Sequence, residues 1–254
     1  MSKLVKRIFA YIIDILIITI LTQCLSNTTI FNPNLNKYEK YQKESTTEYS
    51  NYLSFISNLQ NYYKDNKLTE KEYNKLIKDN PTYENTINSY YKNNKLTEKN
   101  YTKLVNKVTK EYTEKAKKLN YKVEKNSISE KIIYLLFVFL YFVGFNYITN
   151  GETLGKKIMK IKIESIDDKK VSLLSYIIRV FLMYQTIYYI VRLIAILFIP
   201  KEQFFNIINI TYYIQNMLDL AIISIILIRT DGRGLHDLLA KTKVSLVKKE
   251  KIEV

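Results

Sequence analysis

The chain has 254 residues, a formal net charge of +15, one cysteine and 23 tyrosines. A single Cys24 excludes an internal disulfide, and the basic balance comes without an aromatic-basic motif for nucleic acid, which is not expected as a partner. The mean hydropathy of −0.14 reads as soluble, but it averages two unlike kinds of segment.

Residues 8–25, 132–149, 173–199 and 204–228 are almost wholly apolar, each about as long as the roughly 20 residues that span a bilayer. Core helices of soluble proteins are usually shorter and amphipathic, so four such runs together predict a multi-pass membrane protein embedded in a lipid bilayer. The expected class is an all-α membrane protein with four transmembrane helices, a helical extracytoplasmic insert and a small cytosolic β element.

The first run, "KRIFAYIIDILII", holds Arg7 and Asp14 seven residues apart, on one helical face and about 10 Å apart along the axis. That spacing is too long for direct contact, so each is expected to find a partner on another element. A charge inside an apolar span is costly and by default marks a functional group; a structural ion pair is the plainer alternative. Gln23 fits a signal-cleavage site poorly and an acid inside the apolar stretch is unusual for a signal, so residues 1–25 read as a retained helix.

Residues 27–130 form a polar insert rich in Lys, Tyr and Asn. "YYKDNKLTEKEYNKLI" at 62–77 returns as "YYKNNKLTEKNYTKLV" at 90–105, an offset of 28 residues. Thr69 and Glu72 have capping-box spacing and predict a helix start, whereas Asn100 stands where the second copy needs its acid. Tyr73, Leu76 and Ile77 match Tyr101, Leu104 and Val105 as an i, i+3, i+4 apolar stripe. One unit cannot bury a core alone, so the two must pack together or on something else. A helical spacer is the plain reading; the sharper one is a module that binds an envelope partner through residues 60–112.

After the second run, "GETLGKKIMKIKIESIDDKK" carries six lysines, alternates over Ile158–Ile163 as a half-buried strand, and ends in a turn at "DDKK". Val171–Leu173 and "TKVSLV" at 242–247 are candidate return strands of a small sheet. "GETLGK" lacks the spacing of a phosphate-binding loop, and no nucleophile elbow or Cys/His cluster is present, so neither an enzyme, a metal nor a cofactor is expected.

Arg192 and Asp219 lie inside the third and fourth runs, whose short link "PKEQ" makes them an antiparallel pair. Their depths differ by roughly 12 Å, which disfavours a direct bridge. Asn216 is placed to donate to Asp219. In the tail, "DGRGLHDLLAKTKV", Leu235, Leu238 and Leu239 predict a short interfacial helix. Asp237 and Lys241 are spaced to pair on its surface, and His236 reads as an ordinary interfacial side chain.

Lys and Arg border the runs at the N-terminus, the 150–172 connection and the basic tail at 248–254, which places both termini in the cytosol and 27–130 outside. The insert's 19 lysines against 13 acids run against this, though long loops translocate largely regardless of charge.

These motifs in this order resemble the RDD family of bacterial integral membrane proteins, named for one arginine and two aspartates. The resemblance covers 3–25 and 130–247 and maps the three residues to Arg7, Asp14 and Asp237. The family's glycine-threonine-leucine-glycine-lysine segment falls on Gly151, Thr153, Leu154, Gly155 and Lys156, its span-entrance arginine on Arg179, and its glycine-rich tail on Gly232 and Arg233. The resemblance implies a cell-membrane protein for which solute transport or sodium–proton exchange is the expected activity. In that reading Asp14 is the exchanging acid, Arg7 its counter-ion, and Asp219 with Arg192 a second polar station. Four spans are few for a lone transporter, so a homo-oligomer is expected; the alternative is a non-transporting anchor for the insert.

Overall fold

The computed structural model describes residues 2–63, 68–92, 95–167 and 169–247. The Lys64–Lys67 and Asn93–Asn94 portions of the repeat, Asp168 of the "DDKK" turn and the 248–254 tail lie outside them. The chain divides into two compact units, residues 36–126 and the rest.

The larger unit begins with α1 (Lys3–Ser26), capped by Ser2, whose hydroxyl accepts from Val5 N at 3.4 Å. The chain returns to this unit with α6 (Ile128–Ile148), after the four helices of the smaller unit. Its Leu140–Phe145 turns are π-helical, a local widening often found at functional sites. Then come α7 (Leu154–Met159), capped by Thr153, and β1 (Ile161–Ser165). α8 (Leu173–Leu182) is capped by Ser172 and followed by α9 (Thr186–Phe198), α10 (Lys201–Ile228), α11 (Leu235–Leu239) and β2 (Thr242–Leu246).

α1, α6 and α10 are long and apolar enough to cross a membrane, and little of each is buried against protein. Leu16, Leu136 and Leu220 are more than half exposed, as lipid-facing side chains would be. The run 173–199 is not one straight helix: α8 and α9 meet at 72°, and count as a fourth crossing only if the bent pair is one span. At the bend Tyr184 and Gln185 take positive φ of 57° and 54°. The Tyr184 ring stacks on Phe142 at 3.7 Å, and its carbonyl accepts from Tyr134 Oη at 2.9 Å.

The sheet has two antiparallel strands, pairing Ile161 with Leu246, Ile163 with Val244 and Ser165 with Thr242. The alternation at 158–163 and 242–247 therefore meets as expected, shifted by a few residues. Val171–Leu173 is a correction: among the described residues it adds no strand, because Ser172 spends its hydroxyl capping α8, accepting from Ser175 N at 3.1 Å. Gly151, at φ +95°, lies against β1 so closely that a Cβ would stand 2.3 Å from the Ile163 carbonyl oxygen. Ile161, Ile163 and Val244 join Ala10, Ile18, Val138 and Phe142 in one core.

The smaller unit contains most of α2 (Leu35–Tyr62), then α3 (Glu70–Asp79), α4 (Glu84–Tyr90) and α5 (Glu98–Asn126). The capping box forms: Thr69 Oγ1 accepts from Glu72 N, and Glu72 Oε2 accepts from Thr69 N at 2.9 Å. In the second copy Asn100 instead donates through its amide to the Tyr90 carbonyl at 3.0 Å. The unit's core pairs equivalent positions 28 residues apart: Phe55 and Tyr83, Leu59 and Ile87, Leu68 and Leu96, Leu76 and Leu104. Two ring stacks exchange positions between copies, Tyr73 on Tyr91 at 3.9 Å and Tyr63 on Tyr101 at 4.3 Å. The two copies thus bury each other.

Candidate functional site

Two groups of charged residues in the larger unit bear on the site. The first is a buried cluster between α1, α7, α8 and α11. Asp237 is fully buried at the third position of α11, where its Oδ2 accepts from Gly234 N at 3.1 Å. The same oxygen accepts from Arg7 Nη2 at 2.6 Å, while Oδ1 takes a short contact from Arg179 Nη1. Arg7 also donates to the Gly232 carbonyl, and Arg179 donates to Thr242 Oγ1 at 2.8 Å. One carboxylate thereby ties α1, α8, the tail turn and β2 together. Burial pushes the Asp237 carboxyl up, but the Arg179 and Arg7 charges overcome it and hold it well below the usual carboxylate range.

Asp14 is held separately. Its Oδ1 accepts from Tyr141 Oη at 2.7 Å and from Gly155 N at 2.8 Å, and its Oδ2 accepts from Thr153 Oγ1 at 2.5 Å. The π-helical stretch carries Tyr141, whose oxygen also accepts from Leu154 N at 3.0 Å. Gly155 allows the approach: a Cβ there would sit 2.3 Å from the Ala10 carbonyl oxygen and 2.8 Å from Asp14 Oδ1. Arg7 and Asp14 do find partners on other elements.

Lys156, one residue on, is buried and donates to Asn146 Oδ1 at 3.1 Å. Burial lowers its ammonium to about 7, against the pull of Asp14 and with a push from Arg179. His236 is not an interfacial side chain; it is almost wholly buried beside Arg7, with Arg7 Nη2 3.3 Å from its Nε2. Burial and then the Arg179 charge lower the imidazole to about 3, which keeps it neutral at ordinary pH. Its Nε2 faces both the Arg7 donor and, at 3.4 Å, the Asp237 Oδ2 acceptor, while its Nδ1 has no hydrogen-bond partner among the described residues. The expected Asp237–Lys241 surface pair is overturned, because Asp237 faces inward to two guanidiniums.

The second group lies on α9 and α10. Asp219 is half-buried and accepts from Gln215 Nε2 at 2.9 Å; the donor is Gln215, four residues before it, and not Asn216. Arg192 lies over the Tyr188 ring at 5.4 Å, and among the described residues it makes no ion pair with Asp219. Arg233 donates from Nε to Asp231 at 2.7 Å at the exposed tail turn, where Gly232 takes φ +65°.

Between α1, the α8–α9 bend, α10 and α11 runs a cavity of about 490 Å³, the size of a small-molecule site. Its walls are mainly apolar. Arg7 and His236 bound it on the cluster side, and Tyr11, Tyr184 and Asp219 also line it. Arg7, Asp14, Thr153, Gly155, Lys156, Arg179 and Asp237 are thus gathered around the cluster. Asp219 joins the same neighbourhood only through the cavity.

Sequence reasoning passed over Tyr141 and Thr242 and undervalued His236. A tyrosine within an aromatic run gives no signal in isolation, and a lone histidine gives little.

No curated protein and no solved structure matches the chain. The model of the RDD family matches residues 119–241, which hold α6 through α11, including Lys156, Arg179 and Asp237. The cluster is assembled around those matched residues, and the match is consistent with an RDD-domain protein.

Proposed function

We propose that the larger unit is a carrier embedded in a bacterial cell membrane, moving a small solute or ion, with Asp219 as the exchanging group. The observation that carries this is the contrast between its carboxylates. Asp14 and Asp237 each accept at least three donors in buried settings, whereas Asp219 accepts one and lines a cavity. Arg7, Asp14 and Asp237 then hold the frame, and the α8–α9 bend, counted as one broken span, forms part of the vestibule. Broken helices lining a cavity are a recurring feature of transporters. No enzymatic step is part of this reading, and a homo-oligomer completes the path.

Proteoliposome flux tests it. Asp219→Asn should abolish flux of the transported species while the protein keeps its helical content; unchanged flux would sink the assignment. The orientation proposed with it has both termini and residues 150–172 cytosolic and 27–130 outside. In a Cys24→Ser background, Gln60→Cys should react with an impermeant maleimide in intact cells and Ser165→Cys should not.

A second reading, a membrane anchor that presents residues 60–112 to an envelope partner, draws support from the self-contained core of the smaller unit. Deleting 60–112 would then abolish function while flux through the larger unit persists.

A further inference from the structure

We propose that the cavity between α1, the α8–α9 bend and α10 selects a lipophilic organic monocation, bound beside Asp219. This rests on the carrier reading and names the class of its substrate.

The charge balance of the walls points to a cation. Three groups with charge-bearing chemistry line the cavity: Arg7, His236 and Asp219. Arg7 turns its charge toward Asp237 at 2.6 Å, a carboxylate it shares with Arg179. His236 is neutral, its imidazole lowered to about 3 by burial. Asp219 has a neutral amide as its hydrogen-bond donor. Asp219 is therefore the acid lining the cavity, and it is not tied to a guanidinium.

The remaining walls decide what kind of cation. A compact metal ion requires several oxygen ligands in place of its water shell. Here the lining offers one carboxylate and the hydroxyls of Tyr11 and Tyr184 amid mainly apolar side chains, too few oxygens for such a shell. A bulky cation with spread charge needs little replacement of water and gains from apolar contact. Tyr11 and Tyr184 both line the cavity; Tyr184 is stacked on Phe142 and on Tyr11, so the ring surface that attracts such a charge is chiefly that of Tyr11. Ile8, Ile223 and Leu227 at the rim are exposed on apolar helices, so a lipophilic molecule has a lateral way in from lipid.

The test is equilibrium binding to the detergent-purified full chain. Two probes share one shape and carry opposite charge: tetraphenylphosphonium and tetraphenylborate. Wild-type protein should bind the phosphonium saturably and the borate at least tenfold more weakly. Asp219→Asn should erase that preference and Asp219→Glu should keep it. Equal affinity for the two probes on the wild type, or an unchanged preference in Asp219→Asn, overturns the inference. Binding to neither probe overturns it too. The carrier reading fails separately. Asp219-dependent phosphonium binding with no flux in proteoliposomes refutes transport alone. Asp219-dependent flux of a small ion without phosphonium binding refutes this inference alone.

Discussion

Replacing Asp237 by Asn is the sharpest perturbation of the buried cluster. The carboxylate has no exposed surface and meets two guanidiniums whose side chains are only 12% and 8% exposed. An amide in its place keeps the shape and the capping contact to Gly234 N, but leaves two cations facing each other without an anion. Removing one partner of a buried ion pair typically costs about 3–5 kcal/mol, because the remaining charge stays desolvated. At about 1.4 kcal/mol per factor of ten, that is between two and four powers of ten in the folding equilibrium. The chain has no tryptophan, so thermal unfolding in detergent is followed by circular dichroism. A double variant, Asp237→Asn with Arg179→Met, removes one stranded cation and should recover part of the loss, so the two changes will not add. A loss under about 1 kcal/mol for Asp237→Asn, or strict additivity in the pair, would refute the clasp.

Three further outcomes follow from other contacts. Gly155→Ala forces a Cβ to within 2.3 Å of the Ala10 carbonyl oxygen, so α7 must leave α1; a lowered unfolding midpoint is expected, by about 1–3 kcal/mol, while Gly144→Ala, with nothing within 4 Å of its Cβ, serves as the control. Lys156 titrates near 7 folded and near 10.5 unfolded, so between those values the unfolded chain binds more protons and stability should rise with pH. Comparing unfolding midpoints at pH 7 and pH 9 should show that rise, and Lys156→Met should flatten it. Leu76→Ala and Leu104→Ala, at equivalent fully buried positions, should each cost about 2–5 kcal/mol and melt the smaller unit first, as read by limited proteolysis of 36–126.

How much of this was legible depends on the range of the signal. Apolar runs are local, so α1, α6 and α10 could be placed within a few residues, and Thr69 with Glu72 announced the start of α3. The α8–α9 bend was not legible. "LMYQTIYY" contains neither Gly nor Pro, and the left-handed backbone at Tyr184 and Gln185 is sustained by partners far along the chain, Phe142 and Tyr134. Asp237 was mispaired for a similar reason. Its i, i+4 lysine is a local partner that a one-dimensional reading offers, whereas Arg7 is 230 residues away. The motif positions could be named in advance, but their convergence on one carboxylate could not.

That convergence also bears on which acid can turn over. To leave its site, Asp14 must break contacts from Tyr141, Thr153 and Gly155. Hydrogen bonds to charged groups are each worth about 1.5–3 kcal/mol net, so freeing it costs on the order of 5–9 kcal/mol before any solute arrives. Asp237 faces the larger penalty of stranding two guanidiniums. Asp219 has one side-chain donor to give up, about 1.5–3 kcal/mol, and a solute contact can replace it in the same step. A difference of three to six kcal/mol in opening cost is between two and four powers of ten in population. Groups that expensive to release suit a fixed frame, and the cheap one suits exchange. Asp14→Asn, which keeps the shape of the side chain but turns one acceptor into a donor, should therefore lower the unfolding midpoint more than it alters solute affinity. Asp219→Asn should do the reverse. If instead Asp14→Asn leaves stability intact and removes solute binding, the frame and the exchanging site have been assigned the wrong way round.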